Sequence, residues 1–306
     1  MSLAVLCPGQ GAQHPAMFAR VRNDAQAMRV IEAATTAAGC NIVELAGRPE
    51  RYTNRFAQPL VCAGALAHWQ ALKANLPEPL VALGYSVGEL AAHAVAGSFD
   101  ATGCVSLAAV RAGLMDAASP PGAGLLAVTG LRRDAVASLC ERHGLAIAIV
   151  NGEDHYVLGG LCSGLQAAAE TSAQAGGRAT LLPVSLPAHT HWLQPAADTF
   201  ARLLHDAGVQ APRLPVLAGL DGLPVTTARR AIDTLAGQIA RPLQWQRALA
   251  QAVERGARVF LELGPGGALA KMLRDAFPRC EARAVEDFST LDGVSRWVEA
   301  ACARAA

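Results

Sequence analysis

The sequence of 306 residues predicts an α/β protein in which a parallel sheet carries a small inserted domain. Apolar strand-like runs alternate with helical patterns over residues 1–122 and again over 187–306, which is typical of a parallel sheet with helices on both faces. Between these two segments, residues 123–186 follow the order β-α-β-β-α-β of the ferredoxin-like motif. We therefore expect one main domain formed by 1–122 and 187–306, and an inserted subdomain at 123–186.

The main domain is predicted to begin with a short buried strand at Leu3–Cys7, because five apolar residues end at the turn Pro8–Gly11. The helix expected at 58–74 has a face of small residues, which indicates a closely packed neighbour. The helix at 101–118 stops at a Ser-Pro-Pro-Gly sequence. The remaining elements of this domain are a helical region at 15–38, a strand at 80–83, helices at 89–97, 194–207 and 268–276, and a strand at 259–263.

The inserted subdomain is predicted from shorter periodic segments. Its expected strands are 125–128, 145–150, 156–158 and 179–184, and its expected helices are 134–143 and 163–175.

The composition limits the classes of function. Hydrophobic residues make up 52% of the chain and charged residues 17%, so a large core is expected and disorder is not. The net charge of +1 argues against nucleic acid as a partner. The eight cysteines form no C-x-x-C pair, which indicates reduced thiols and no metal site. The apolar segment at residues 1–6 is too short for a signal sequence, and no apolar run is long enough to span a bilayer. We therefore predict a cytoplasmic protein with no membrane partner.

The pentapeptide Gly84–Gly88 reads G-x-S-x-G and lies between a strand-like run and a helical run. That context is typical of a nucleophile elbow, in which a serine hydroxyl is exposed on a sharp strand-to-helix turn. Ser86 is therefore predicted to be a nucleophile that forms an acyl-serine.

A serine nucleophile needs a base, and the residues alone leave two candidates. His189 and His191 both lie where the chain is expected to re-enter the main domain, whereas His93 lies on the elbow helix and points away from the turn. None of the eight carboxylates between Ser86 and His189 clearly follows the end of a predicted strand. No carboxylate is therefore assigned as the acid of a catalytic triad. A neutral carbonyl could orient the imidazole instead.

Two further positions have both a structural and a functional interpretation. Arg111 lies in an apolar helix, where the spacing alone favours a surface or snorkelling arginine over a clamp for a substrate carboxylate. Gln10 lies in a turn between glycines. Its backbone N–H, together with that of Val87, could form an oxyanion hole, although a plain strand-ending turn explains the same pattern.

Taken together, these segments resemble the malonyl-CoA:acyl-carrier-protein transacylase family. The matching segments occur in the family's order and span nearly the whole chain: Pro8–Gln13, Gln58–Pro59, Gly84–Glu89, Val110–Arg111, Asn151, Pro183–His189, Pro242–Trp245 and Glu262–Gly266. The resemblance implies an α/β-hydrolase-like catalytic core with a ferredoxin-like insert. It also implies that malonyl-CoA is the substrate and that no cofactor is permanently bound.

The resemblance also implies roles for the catalytic residues. Ser86 would take the acyl group, and His189, which lies inside a matching segment, would be its base. The backbone N–H groups of Gln10 and Val87 would form the oxyanion hole.

For the remaining two positions, the resemblance supplies roles that spacing does not. Arg111 would bind the free carboxylate of the malonyl group, and Gln244 would orient the histidine through a carbonyl. The partner would be a small acidic acyl carrier protein, for which arginines at 48, 51 and 55, or at 132 and 133, are candidate contacts.

One position departs from the pattern of fatty-acid synthesis members, which usually carry histidine where this chain has Tyr85. The form Gly-Tyr-Ser-Val-Gly is similar to the transacylase (epsilon) subunit of malonate decarboxylase, which loads a malonyl group onto the thiol of a small carrier subunit. The alternatives are a malonyltransferase of fatty-acid or polyketide synthesis, an esterase or thioesterase with the same elbow, and a non-catalytic carrier-docking subunit.

Overall fold

The computed structural model describes residues 2–305 and contains two separate sheets with helices, which confirms the α/β class. The strands are β1 Leu3–Cys7, β2 Val81–Gly84, β3 Ala123–Thr129, β4 Ala146–Val150, β5 His155–Leu161, β6 Arg178–Leu181, β7 Val216–Leu217, β8 Pro224–Val225, β9 Val259–Glu262 and β10 Glu281–Ala284. The helices are α1 Ala25–Ala38, α2 Ile42–Leu45, α3 Asn54–Leu72, α4 Gly88–Val95, α5 Ala101–Ala118, α6 Arg133–His143, α7 Cys162–Gln174, α8 Gln194–Asp206, α9 Ala228–Gly237, α10 Trp245–Glu254, α11 Ala268–Ala276 and α12 Leu291–Arg304.

The larger sheet has the strand order β10-β9-β1-β2-β7-β8. Its central strands β1, β2 and β9 are buried along their whole length, which explains why they appear in the sequence as continuous apolar runs. The expectation of a purely parallel sheet is wrong at one edge, because β8 pairs antiparallel with β7. Only a short loop joins these two strands, and a parallel connection requires a crossover of a dozen or more residues.

The smaller sheet is antiparallel and has the order β4-β5-β3-β6, with α6 and α7 in two of its three connections. Side chains alternate between its faces, as the two-residue period of a strand requires. Leu126 and Val128 of β3 join a separate apolar cluster with α6 and α7, whereas Leu125 joins the core of the larger sheet. The edge strand β4 meets the rest of the chain through Val150, whose N–H donates to the carbonyl of Leu243 at 2.8 Å.

Several element ends differ from the prediction for local reasons. The helix α1 begins only at Ala25, because the Asp24 carboxylate caps it by accepting hydrogen bonds from the N–H groups of Gln26 and Ala27. Strand β6 ends at Leu181, two residues before Pro183, which has no N–H for a ladder. The sequence analysis does not predict the elements α2, β7, β8, α9, α10, β10 and α12. β7 and β8 have two residues each, too few to show a period.

Over residues 2–305, the helices include none that combines the length and apolar character needed to cross a membrane.

Candidate active site

The carboxyl ends of β1 and β2 bring two of the predicted segments together. These strands are parallel neighbours with Cys7 opposite Gly84, and the N–H of Tyr85 donates to the carbonyl of Cys7 at 2.9 Å. The turn that contains Gln10 follows β1, and the turn that contains Ser86 follows β2. The two turns therefore lie side by side at one edge of the sheet.

Ser86 adopts the strained backbone expected at a nucleophile elbow. Its φ angle is +56°, in the left-handed region that non-glycine residues rarely occupy. The turn is so tight that a Cβ atom on Gly84 would lie 2.1 Å from the backbone nitrogen of Glu89. A Cβ atom on Gly88 would lie 2.2 Å from the carbonyl oxygen of Cys7. The two glycines thus permit the close approach that exposes the serine hydroxyl.

His189 meets Ser86 although the two residues are 103 positions apart. The Oγ of Ser86 lies 2.7 Å from the Nε2 of His189. His189 also has a positive φ, +64°, and its backbone N–H donates to the carbonyl of Ile239 at 2.9 Å. Of the two histidines that the sequence left open, His191 is exposed and stacks on Trp192 with ring centroids 4.1 Å apart. The structure thus places only His189 against the serine.

The carbonyl that orients the imidazole belongs to Gln238. Its oxygen lies 2.5 Å from the Nδ1 of His189. A carbonyl can only accept, so Nδ1 carries the proton and Nε2 is left to accept from the serine hydroxyl. The assignment of this contact to Gln244 is wrong: Gln244 directly precedes α10, and its backbone carbonyl accepts from the N–H of Ala248 at 3.1 Å.

A backbone carbonyl gives no sequence signal, because any residue type can supply it. Gln238 was missed for this reason. Glu89, the carboxylate nearest to the serine in sequence, is buried and accepts a hydrogen bond from the N–H of Gly219 at 2.8 Å, so it stabilises a loop rather than the imidazole.

The imidazole of His189 is held in its neutral form. Burial, and to a smaller extent the positive charge of Arg111, lower the pKa of His189 to about 3, although the contact with Gln238 opposes the shift. The side chain is therefore unprotonated at neutral pH, as a base must be before it can accept a proton.

A second serine–histidine pair occurs in the chain and serves as a comparison. The Nδ1 of His93 lies 2.9 Å from the Oγ of Ser98, and both residues are buried. Ser98 does not have the positive φ of Ser86, and neither member borders the cavity described next. A hydrogen bond between the two residue types is thus not what distinguishes Ser86.

Ser86 and His189 open into a cavity of about 90 Å³. This volume is far below the roughly 300–1,000 Å³ of sites that enclose a drug-sized ligand, so it suits a short acyl group. Apolar side chains from the smaller sheet and from the loop that follows it contribute to its wall: Leu125, Ile149, Val157, Leu182, Val184 and Leu186. An adjoining open groove of about 450 Å³ shares Gln10 and Leu186 with the cavity.

Arg111 lines this cavity as a buried cation. Only 1% of the residue is exposed, and burial lowers its pKa to about 10. Its Nη1 donates to the Oε1 of Gln58 at 2.7 Å, whereas its Nε and Nη2 find no hydrogen-bond partner among residues 2–305. Nε and Nη2 form one edge of the guanidinium, the edge that binds a carboxylate with two parallel hydrogen bonds. The surface-arginine interpretation is therefore excluded by burial.

Two backbone donors also lack a partner. Within the described part of the chain, the N–H groups of Gln10 and Val87 donate no hydrogen bond. Gln10 borders the cavity, and Val87 directly follows Ser86 at the start of α4. Donors without a partner are what an oxyanion hole requires, because they must be available to bind an incoming negative charge.

Tyr85 connects the elbow to the smaller sheet. Its hydroxyl donates to the Oδ1 of Asn151 at 3.1 Å, and its ring packs edge-on against Trp245 with centroids 5.2 Å apart. Burial raises the pKa of Tyr85 to about 12, so the phenol stays protonated and remains a donor.

No group of three or more histidine, cysteine, aspartate or glutamate side chains in the described range is arranged to hold a metal ion.

Comparisons with known proteins cover almost the full length of this chain. The model of the acyl transferase domain family matches residues 5–297. The malonyl CoA-acyl carrier protein transacylase of Mycobacterium tuberculosis is 32% identical over 297 residues, covering 95% of this chain and 98% of that protein.

Two solved structures are also similar. An acyl carrier protein S-malonyltransferase from Vibrio cholerae superposes with a TM-score of 0.89 at 28% identity, covering 96% of this chain and 100% of that one. A malonyl-transacylase in complex with a type II PKS acyl carrier protein superposes with a TM-score of 0.91 at 25% identity, covering 97% and 99%.

Proposed function

The chain belongs to the acyl transferase domain family and is an acyltransferase, and from this premise we propose that it transfers malonyl groups from malonyl-CoA to a carrier-protein thiol. The observation that carries the proposal is the buried Arg111 with two unpartnered donors in the same small cavity as the paired Ser86 and His189. A serine–histidine pair explains acyl transfer, and the buried cation explains why the acyl group is acidic.

In the first half-reaction, Ser86 Oγ attacks the thioester carbon while His189 Nε2 takes the hydroxyl proton. The negative oxygen of the tetrahedral intermediate is stabilised by the N–H groups of Gln10 and Val87. The C–S bond then breaks, and His189 returns the proton to the CoA sulfur. Malonyl-Ser86 and free CoA result, and no metal or redox cofactor takes part.

Arg111 acts on this step in two ways. Its Nε and Nη2 bind the malonyl carboxylate, which fixes the thioester carbon relative to Ser86. The bound carboxylate also offsets the positive charge that lowers the pKa of His189, so the base becomes stronger when an acidic acyl group is present.

In the second half-reaction, a thiol of the carrier protein attacks malonyl-Ser86. His189 takes the thiol proton and passes it to Ser86 Oγ as the ester bond breaks. The groove that adjoins the cavity provides room for the long arm of a thioester. The named relatives from Mycobacterium tuberculosis and Vibrio cholerae act on acyl carrier protein, which supports a carrier of this kind as the acceptor.

The proposal is tested by intact-protein mass spectrometry after mixing with malonyl-CoA. We expect a malonyl adduct on the protein that disappears when a thiol-bearing carrier is added. Rapid release of free malonate without an acceptor would instead identify a thioesterase. The absence of both adduct and turnover would identify a non-catalytic carrier-docking protein.

Replacing Arg111 tests its role in acyl-group choice. We expect Arg111→Ala to lower kcat/KM for malonyl-CoA by at least about 100-fold, since a desolvated charged contact contributes roughly 3 kcal/mol. Reaction with acetyl-CoA, which has no free carboxylate, should change by less than about threefold. Both rates are measured as acyl-enzyme formation, and equal losses for the two substrates would show that Arg111 has only a structural role.

For the pathway, we propose the carrier subunit of malonate decarboxylase as the acceptor. The support is Tyr85, which stands where fatty-acid members usually carry histidine and which hydrogen bonds to Asn151. A malonyltransferase of fatty-acid or polyketide synthesis is the alternative and agrees with the named relatives. Transfer assays with purified carriers of each pathway distinguish them, because only the native acceptor should react at low carrier concentration.

We also propose the domain division that underlies this site: a hydrolase-like catalytic domain of residues 1–122 and 187–306, with a ferredoxin-like insert at 123–186. The strand order of the smaller sheet and its separate apolar cluster support this division. The insert would close the acyl cavity from one side, because Leu125, Ile149 and Val157 line it.

A further inference from the structure

A chain of four polar side chains runs from the cavity to the surface between α3 and α5. It begins with Arg111 Nη1, which donates to Gln58 Oε1 at 2.7 Å. Gln58 Nε2 donates to Asn54 Oδ1 at 2.7 Å, and Asn54 Nδ2 donates to Asp116 Oδ1 at 2.9 Å. Asn54 and Gln58 are one helical turn apart on α3, while Arg111 and Asp116 belong to α5.

The chemistry of the two ends fixes the direction of every bond in this chain. A guanidinium has only donors, so Gln58 must present its oxygen to Arg111 and its NH₂ group to Asn54. Asn54 must then accept from Gln58 with its oxygen and direct its NH₂ group outward. There it meets two groups that accept, the carbonyl of Ala112 at 3.1 Å and the carboxylate of Asp116. Neither amide can rotate by 180° without placing donor against donor or acceptor against acceptor.

The direction of these hydrogen bonds decides where the guanidinium points. Arg111 makes one hydrogen bond within the described chain, through Nη1, and this bond turns the edge with Nε and Nη2 away from Gln58. Gln58 itself is buried, with 1% exposure, so no solvent can replace its partners. If Asn54 no longer accepted from Gln58, the amide of Gln58 would be free to rotate and its NH₂ group would repel the cation.

We propose that Asn54 and Asp116 are positioning residues that orient Arg111 through Gln58 and so set the preference for acyl groups with a free carboxylate. This inference rests on the proposed role of Arg111 in binding the malonyl carboxylate. Asn54 also borders the cavity, and both residues border the adjoining groove. Malonyl-CoA and acetyl-CoA share the thioester arm that would occupy this groove, so an effect specific to the carboxylate must pass along the hydrogen bonds.

The first test is Asn54→Leu, which keeps the side-chain shape and removes all three hydrogen bonds of the Asn54 amide. We expect kcat/KM for acylation by malonyl-CoA to fall about tenfold, mainly through KM, because one hydrogen bond next to a charged group loses its geometry. Acylation by acetyl-CoA should stay within about threefold of wild type, so the malonyl-to-acetyl ratio is the decisive readout.

Asp116 provides a second variant that keeps the proposal testable if Asn54→Leu does not fold. Asp116→Ala removes the outer acceptor and should lower the malonyl-to-acetyl ratio about threefold, while Asp116→Asn, which can still accept through its oxygen, should restore most of it. The matched control is Asp198→Ala. Asp198 also accepts from a side-chain amide, Gln194 Nε2 at 2.7 Å, but it lies on the exposed face of α8, and its loss should not change the ratio.

The possible outcomes separate this proposal from the one it rests on. If Arg111→Ala lowers the ratio but Asn54→Leu and Asp116→Ala do not, the positioning role is wrong and the proposed function stands. If Asn54→Leu lowers both rates equally, Asn54 only stabilises the packing of α3 on α5. If Arg111→Ala itself leaves the ratio unchanged, the proposed function of Arg111 fails first.

Discussion

Ser86→Ala is expected to form no malonyl-enzyme and to lose malonyl transfer by at least about 1,000-fold, because the oxygen that carries the acyl group is removed. The substitution should leave the fold intact, because alanine carries the same Cβ atom that serine already accommodates at the φ angle of +56°. Mass spectrometry after mixing with malonyl-CoA measures the adduct directly, and circular dichroism checks the fold.

The matched control is Ser98→Ala. Ser98 also shares a hydrogen bond with an imidazole, that of His93, but lies outside the cavity. This variant should be labelled like the wild type. A covalent malonyl adduct that persists in Ser86→Ala would show that another residue is the nucleophile.

His189→Ala is expected to lower the rate of acylation by about 100- to 10,000-fold, the range over which a positioned general base contributes. Binding of malonyl-CoA should change little, since Arg111 and the oxyanion donors remain. Single-turnover labelling with saturating malonyl-CoA separates the two quantities, because it reports the chemical step rather than affinity.

His191→Ala is the control for this prediction. His191 is two positions away in sequence but is exposed and stacked on Trp192, so its loss should not change the labelling rate. A large loss in His191→Ala with normal labelling in His189→Ala would reverse the two assignments.

Local sequence was sufficient to predict most elements of residues 1–186 and one half of the site. The helices α5 and α11 and the strand β1 were predicted with the ends that the structure gives them, because Pro, Gly or capping residues mark their boundaries. The elbow at Ser86 was predictable as well, since the glycines on both sides and the strand and helix around it are adjacent in the chain.

Residue type was not sufficient to predict the role of a residue that acts through a backbone atom or a long-range contact. Gln238 orients His189 through a carbonyl that every residue possesses, and the resemblance pointed to Gln244 instead. Asn54 was missed for another reason: its partners Ala112 and Asp116 belong to a different helix, and only the packing of α3 on α5 brings them within 3.1 Å.

The sequence by itself determined the α/β class, the elbow that exposes Ser86 and the short list of bases. These features depend on residues that are neighbours along the chain, so local sterics and periodicity define them. Residue spacing left His189 and His191 open, and the resemblance implied His189. Only the tertiary structure decided that His189 contacts the serine and that Arg111 is buried with one edge open to the cavity. Both outcomes depend on burial and on distances between remote segments, because the sheet and the helices around it must pack before a cation loses its water or an imidazole meets a hydroxyl.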